Sequence, residues 1–287
     1  MKLFSRIAIF GVSFLAAMSV FGQNAPHDDL LANIPTGGTQ VIDLTYAIND
    51  KLVPWPGDGK FFEAKDNATV AKNGVFTRSF WMLEHYGTHL DAPIHFPPGT
   101  IPVDKIPVKQ FFGAAVVIDV QSESAKNADY LLDAARVEAW ESRHGKIPAG
   151  AIVLLRTGWA SRWPDVKRYR NQDALGKMHF PGFSVEAVKL LIDRKVSGLG
   201  CDTLSVDYGA SSDYPVHHLG LGASIYNLEN LADLSALPET GAFLIVAPIK
   251  LEGGSGGPVR VFALLSNATT SASGAGSAGG LQGRASK

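Results

Sequence analysis

The decisive stretch of this sequence is Glu84-His85-Tyr86-Gly87-Thr88-His89-Leu90-Asp91-Ala92-Pro93-Ile94-His95-Phe96. It carries three histidines and one aspartate within eleven residues, at the spacing His-x3-His-x-Asp-x3-His. Imidazole nitrogens and carboxylate oxygens are the ligands that zinc and manganese bind in proteins. Gly87 permits backbone conformations that other residues avoid, and Pro93 lacks a backbone donor. The stretch therefore predicts a metal site on a stiff, irregular loop rather than on a helix or a central strand.

The same stretch resembles the signature of a known family. The pattern His-x-Gly-Thr-His-x-Asp-x-Pro-x-His-Phe is similar to that of the metal-dependent cyclase hydrolases, the family of bacterial kynurenine formamidase and isatin hydrolase. Every position of the signature is present, namely His85, Gly87, Thr88, His89, Asp91, Pro93, His95 and Phe96. The resemblance implies a single α/β domain with a mixed sheet, of the swivelling β/β/α type, with the metal site at one sheet edge.

A second cluster of polar residues lies between positions 215 and 231. The family has a histidine twelve positions before the glutamate of a Glu-Asn-Leu segment, and counting back from Glu229 reaches His217 rather than His218. The resemblance therefore implies His217 and Glu229 as metal ligands, together with His85, His89 and Asp91. For Glu229 a salt bridge is the alternative, since a buried carboxylate without a partner is costly.

This ligand set predicts the cofactor and the mechanism. Five groups could hold one ion or two, with Asp91 as the natural bridging carboxylate, and the ligand types fit Mn²⁺ or Zn²⁺ without choosing between them. A metal lowers the pKa of a bound water from ~15.7 to about 7, and the hydroxide would attack a carbonyl carbon. His95 is the signature histidine not needed as a ligand, so we assign it general acid–base work. The alternative is that His95 hydrogen-bonds a ligand.

Composition narrows the function classes. The chain has 287 residues and a formal net charge of −1, so no electrostatic case exists for binding nucleic acid. Its single cysteine, Cys201, lies in an apolar run and is predicted to be a buried, inert thiol. The sequence lacks the His-Glu-x-x-His motif of zinc proteases.

The N-terminus has the features of a signal peptide. Lys2 and Arg6 precede an apolar run over 7–21, and small residues near position 22 predict cleavage close to Gln23. A run of about 15 apolar residues is shorter than the ~20 that span a bilayer, which argues against a membrane anchor. We therefore expect a protein exported to a periplasm, with no membrane attachment after cleavage of residues 1–22.

The remaining chain divides into three parts. Residues 23–39 are predicted as a flexible lead-in, 40–265 as the cyclase-like domain, and 266–287 as a flexible low-complexity tail whose composition also suits an added linker. The domain has many predicted strands and few helices, which favours a mixed α/β class. The predicted strands are 40–44, 75–83, 114–120, 151–155, 198–206, 222–228, 243–247 and 259–265. The predicted helices are 130–144 and a segment capped by Ser184 that runs to Lys195.

Aromatic residues near the motif favour an aryl substrate. Trp55 lies in a Pro-rich loop, and Phe76 and Trp81 lie in the strand before the motif, although core packing is the alternative for each. We therefore predict a hydrolase of a small amide, cyclic amide of the isatin type, or lactone. A non-catalytic exported metal- or ligand-binding protein is the alternative. The family resemblance also implies a homodimer or homotetramer in which a neighbouring chain can line the pocket.

Overall fold

A computed structural model describes residues 28–267 of the chain. The predicted signal peptide over 1–22 and the predicted tail beyond position 267 lie outside the described residues. Within 28–267, no helix combines the length and the apolar character needed to cross a membrane.

The described part of the chain alternates strands with short helices. The strands are β1 Thr39–Asp43, β2 Phe62–Ala68, β3 Thr77–Met82, β4 His89–Asp91, β5 Phe112–Asp119, β6 Leu131–Leu132, β7 Ile152–Arg156, β8 Gly182–Phe183, β9 Gly198–Cys201, β10 Tyr226–Glu229, β11 Phe243–Pro248 and β12 Gly256–Ser266. The helices are α1 Asp28–Ala32, α2 Val70–Asn73, α3 Gln121–Lys126, α4 Ala134–His144, α5 Val166–Arg170, α6 Val185–Asp193 and α7 Pro215–Gly222. Single 3₁₀ turns cover Pro93–His95, Val103–Lys105, Val108–Phe111 and Trp159–Arg162.

Eight strands form one mixed sheet in the order β1-β12-β11-β5-β7-β9-β10-β4. Strand β12 is 11 residues long, and its first residues, Gly256 to Pro258, also pair with β4. Because β4 joins β10 on one side and β12 on the other, the sheet closes on itself like a barrel. The family resemblance predicted this single mixed α/β domain, and the prediction is confirmed.

Parallel strands β5, β7, β9 and β10 form the half of the sheet that carries helices. Their side chains alternate between two apolar clusters, as the period of two along a strand requires. Val117 and Leu154 face the inside of the closed sheet, whereas Val116 and Val153 pack with residues of α4, α6 and α7. Both faces are covered, which explains why these strands are continuous apolar runs in the sequence.

Helix starts follow local rules where a capping side chain is available. The Ser184 hydroxyl accepts a hydrogen bond from the Ala187 amide and begins α6, as predicted. The Asp133 carboxylate likewise caps α4, but this helix begins four residues later than the predicted 130–144, because β6 takes up Leu131 and Leu132.

Several expectations differ from the structure. The predicted flexible lead-in contains helix α1, whose Leu30 is buried. The predicted loop around the motif contains the three-residue central strand β4, because β10 and β12 pair with it from both sides. The predicted strand 222–228 begins only at Tyr226, after the helix over 215–222, and the predicted strand 198–206 ends at Cys201. Cys201 itself is free and buried, as predicted.

Candidate metal centre

Two neighbouring strands position three of the predicted ligands. His89 and Asp91 are the first and last residues of β4, and Glu229 ends β10 directly opposite His89 in the antiparallel register. Residues two apart on a strand share a face, so His89 and Asp91 point the same way. All three side chains are buried.

Helix α7 brings the fourth group to the same point. Its first turn is anchored by Asp207, whose carboxylate accepts hydrogen bonds from the Val216 amide at 3.0 Å and the His217 amide at 3.0 Å. The same carboxylate lies 2.7 Å from His217 Nδ1. This contact fixes the ring so that the other nitrogen, Nε2, faces Asp91 and Glu229, each at 3.2 Å. His218, the neighbour, is exposed and packs on Phe96.

The backbone fixes His89 in the same manner. Its Nδ1 lies 2.9 Å from the Gly87 carbonyl, an acceptor, so Nδ1 is the donor and Nε2 is left free. His89 Nε2 lies 3.2 Å from Asp91 Oδ1 and 3.4 Å from Glu229 Oε2. Gly87 adopts φ +70, and a β-carbon there would meet Leu52 Cδ1 at 2.8 Å, which explains the glycine.

His85 and His95 form the outer part of the cluster. His85 Nδ1 lies 2.7 Å from Asp91 Oδ1, and its Nε2 lies 2.9 Å from Ser255 Oγ. The Ser255 hydroxyl donates to Glu84, which also accepts the Ser255 amide. The His95 ring stacks on His85 with centroids 3.8 Å apart.

The buried carboxylates of this cluster stabilise positive charge beside them. Burial alone would raise the pKa of Asp91, but hydrogen bonds from His217, His85 and His89 hold it well below its usual range. Burial would lower the pKa of His89, yet the hydrogen bond and charge of Asp91 outweigh it and raise that pKa to about 9. The pKa of His217 is also raised, against burial, by Asp207 and the two other carboxylates. Two buried carboxylates thus attract positive charge to one point.

The pKa of His95 is lowered, in contrast to those of His89 and His217. Burial lowers the pKa of His95 to about 4, and the positive charge of the neighbouring histidines adds to this, although the charge of Asp91 opposes it. Its ring nitrogens make no hydrogen bond within residues 28–267. At neutral pH the ring is therefore uncharged and able to accept a proton.

The donor set suits a metal ion. One donor atom from each of His89, Asp91 and Glu229 lies within 4.8 Å of the others, and His217 Nε2 lies 3.2 Å from Asp91 Oδ2 and 3.2 Å from Glu229 Oε1. A second group with donor atoms within 4.8 Å of one another consists of His85, Asp91 and His95. Because both groups include Asp91, the arrangement suits one ion or two with Asp91 as a bridge.

A cavity of about 400 Å³ opens above these residues. Its floor is made by His85, His89, His217 and Glu229, and its walls include the rings of Trp55, Phe96 and Tyr214. The predicted substrate contact Trp55 thus lies in the cavity wall.

Phe76 and Trp81, the other two predicted substrate contacts, lie elsewhere. Strands β2 and β3 form a separate two-stranded arm, and nearly all of its side chains are exposed, including Trp81 at 47% and, just before β3, Phe76 at 53%. The cavity is lined from this part of the chain only after the arm ends, at Leu83 and Glu84. Phe76 and Trp81 therefore do not line this cavity in the single chain, and their contact with substrate stays a prediction.

Four residues that hold the proposed ligands in place were not predicted from the sequence. Asp207 orients His217, Ser255 and Glu84 hold His85, and the Asn227 amide donates to Asp91 Oδ2 at 3.3 Å. An acidic residue at the end of the apolar run 196–206 was a signal for Asp207. Ser255 lies 170 positions from His85 and gives no local signal.

Comparisons with known proteins identify similar sequences and similar structures. The family model described as "Putative cyclase" matches residues 42–208. Isatin hydrolase of Roseibium aggregatum is 34% identical over 255 residues, and the match covers 83% of this chain and 96% of that protein. Kynurenine formamidase of Salinibacter ruber is 29% identical and covers 77% of this chain and 95% of its own. The solved structure of isatin hydrolase A from Ralstonia solanacearum has a TM-score of 0.76 and 38% identity, covering 87% of this chain and 100% of its own.

Proposed function

The chain belongs to the cyclase family and is a hydrolase of a non-peptide C–N amide bond, and we propose that it is metal dependent and acts on small aryl amides or cyclic amides. The finer assignment rests on the convergence of His89, Asp91, His217 and Glu229, of which His89, His217 and Glu229 line the floor of one cavity. A site with two buried carboxylates and two oriented imidazoles suits Mn²⁺ or Zn²⁺, as one ion or two.

The proposed ligands are His85, His89, Asp91, His217 and Glu229. When bound, such an ion supplies a water acidic enough to be a nucleophile near neutral pH and a positive charge beside the carbonyl oxygen. The chain keeps the ligands in the required state, because Gly87 and Asp207 each occupy the Nδ1 of a histidine and leave its Nε2 lone pair free.

His95 is the proposed acid–base residue. Its ring lies over His85 at the cavity and is uncharged at neutral pH because burial lowers its pKa to about 4. A neutral imidazole there can take the proton from the attacking water and return it to the departing nitrogen. Its stacking on His85 keeps it beside the metal ligands without a hydrogen bond that would occupy its nitrogens.

The proposed substrate is a planar arene that bears an amide. Isatin hydrolase and kynurenine formamidase, the relatives above, are named for a cyclic and a linear aryl amide. The cavity volume suits a small ligand, and three aromatic rings form part of its wall. Lactones of similar shape present the same carbonyl and belong to the same proposal.

Hydrolysis of two substrates tests this function. Purified protein supplied with Mn²⁺ or Zn²⁺ is assayed with isatin and with N-formylkynurenine. Turnover of either supports the proposal, and the ratio of kcat/KM values separates cyclic from linear amides. No turnover of either substrate, with metal bound stoichiometrically, would contradict the substrate class and favour an exported binding protein.

We also propose that residues 1–22 direct export to a periplasm. The positive Lys2 and Arg6 before the apolar run 7–21 support this. Intact-mass measurement of protein from the periplasmic fraction of an expressing bacterium should give a chain that begins near Gln23. Full-length chain in the cytoplasm alone would contradict export.

A homodimer or homotetramer is the proposed assembly. The β2–β3 arm supports it, since Phe80 is 65% exposed and Trp81 47% exposed, and an isolated two-stranded hairpin is at best marginally stable in water. Light scattering should give a mass of two or four chains, and Phe80→Ser should lower it. A monomer at micromolar concentration would contradict this assembly.

A further inference from the structure

Tyr214 has an unusual backbone conformation beside the metal centre. Its φ of 47° and ψ of 50° lie in the left-handed region, which bulky residues rarely adopt. It also precedes Pro215, and the residue before a proline is disfavoured in helical conformations. Such strain persists only where surrounding contacts enforce it, and it concentrates at functional sites.

The surrounding contacts explain how the conformation is held. The Tyr214 amide donates to Ser211 Oγ at 3.2 Å, and its carbonyl accepts the His218 amide at 3.1 Å. Helix α7 then starts at Pro215 and presents His217. Glycine or asparagine would make this turn without strain. The turn therefore does not explain why a tyrosine stands here.

The side chain offers the better explanation. The Tyr214 ring lines the cavity and lies 5.4 Å from the Phe96 ring, 6.2 Å from Trp55 and 6.0 Å from His217, measured between centroids. It thus stands beside a proposed ligand and in the aromatic part of the wall.

The phenol hydroxyl is free. It makes no hydrogen bond to any residue of the described segment 28–267. By contrast, the hydroxyls of Tyr86, Tyr169 and Tyr226 each donate to a backbone carbonyl. A half-buried phenol in a cavity wall without a protein acceptor is a donor available to a ligand.

Resting on the proposed function, we propose that Tyr214 is a specificity residue whose hydroxyl donates a hydrogen bond to a carbonyl oxygen on the substrate arene, ortho to the amide nitrogen. Isatin and N-formylkynurenine share this feature, since each has a ketone on the ring carbon next to the one that bears nitrogen. The hydrogen bond selects ortho-acyl anilides over plain anilides and orients the ring on the metal centre.

Paired probes test this hydrogen bond. Wild type and Tyr214→Phe are assayed with N-(2-acetylphenyl)formamide, which has the ortho ketone, and with formanilide, which lacks it. We expect kcat/KM for the ketone probe to fall about 3- to 10-fold in Tyr214→Phe, the usual worth of one neutral hydrogen bond. The formanilide value and the metal content should stay unchanged. Equal losses on both probes, or no loss on either, would overturn the proposal.

Two further variants complete the design. Tyr130→Phe is the matched control, because Tyr130 is half-buried, has no hydroxyl partner within 28–267 and lies outside the cavity, so both probes should be unaffected. Tyr214→Asn removes ring and hydroxyl but suits the left-handed backbone, so its Tm should be equal to or above wild type while KM for the ketone probe rises. A lower Tm with unchanged KM would make Tyr214 merely structural.

Failure of the proposed function gives a different result. If metal-loaded wild type hydrolyses neither probe, the hydrogen bond is tested by binding alone, and the proposed function fails only if isatin and N-formylkynurenine are not hydrolysed either. The Kd of 2-aminoacetophenone should then be about 3- to 10-fold weaker for Tyr214→Phe than for wild type, with aniline unchanged. Equal Kd values for 2-aminoacetophenone would overturn the role of Tyr214.

Discussion

Replacement of Asp207 by asparagine should weaken metal binding without touching a ligand. Asp207 is only 1% exposed, and both of its oxygens accept hydrogen bonds: Oδ1 from the Val216 amide, and Oδ2 from the amide and ring Nδ1 of His217. Asparagine has one oxygen and one NH₂ group. The NH₂ group would replace one carboxylate oxygen, and it would then face N–H groups that need an acceptor.

The two orientations of the asparagine predict the size of the effect. With NH₂ toward His217, the imidazole must shift its proton to Nε2, which then has no lone pair for a metal. With NH₂ toward Val216, a buried backbone donor loses its acceptor and α7 moves. Outer partners of ligating histidines are typically worth 10–100-fold in metal affinity. We therefore expect the Kd for Zn²⁺ or Mn²⁺ to rise about 10- to 100-fold, or roughly 1.4–2.7 kcal/mol.

The assay is competition with a chromophoric chelator, with circular dichroism to verify folding. Asp202→Asn is the matched control, since Asp202 is also buried and accepts hydrogen bonds, but from Thr157 rather than from a ligand. Because Asp202 contacts no proposed ligand, the metal affinity of Asp202→Asn should stay within about twofold of wild type. A folded Asp207→Asn protein with wild-type metal affinity would refute the reasoning.

Three further predictions concern other residues of the fold. His95→Ala should keep its metal but lose about 10²–10⁴-fold in kcat, the usual worth of a general acid or base; loss of metal by elemental analysis would instead make His95 a ligand. Ser255→Ala should weaken metal binding through His85, whose Nε2 contacts the Ser255 hydroxyl, and an unchanged affinity would contradict that support. Hydrogen bonds from Arg194 lower the pKa of buried Glu141 from 4.5 to about 2, so its stabilisation is complete above pH 4.5 and is lost as pH falls toward 2. Between pH 6 and pH 2, the free energy of unfolding measured in urea should fall by up to about 3 kcal/mol more in wild type than in Glu141→Gln. An equal fall in the two proteins would contradict this.

The sequence motifs identified the proposed ligands, but not the residues that support them. Five proposed ligands were named from two motifs, and the structure brings their side chains to one point. The first motif showed ligand groups at close spacing, whereas His217 and Glu229 followed from the family resemblance, which supplied the spacing of twelve residues.

Tertiary pairing explains what the sequence could not predict. His89–Asp91 is a strand only because β10 and β12, more than 130 positions away, pair with it. Helix α7 contains Gly220 and Gly222, which weaken local helix propensity, so its formation depends on packing and on the Asp207 carboxylate at its start. Ser255 and Asn227 support the site from distant segments and carry no local pattern.

The exposed arm shows a different limit of sequence reasoning. Phe76 and Trp81 were expected near substrate because they are aromatic and close to the motif. In the structure they lie on or beside a hairpin that stands apart from the main sheet. Closeness to the motif in the sequence did not indicate that strand β3 lies outside the main sheet.

Metal dependence of isatin hydrolysis tests the central claim most directly. Protein is stripped with a chelator, dialysed, and titrated with Mn²⁺ or Zn²⁺ while turnover and bound metal are measured in the same samples, with Asp91→Asn in parallel. We predict negligible turnover in stripped wild type, recovery that saturates at one or two ions per chain, and neither tight binding nor recovery in Asp91→Asn. Full turnover by metal-free wild type, or recovery in Asp91→Asn equal to wild type, would contradict it.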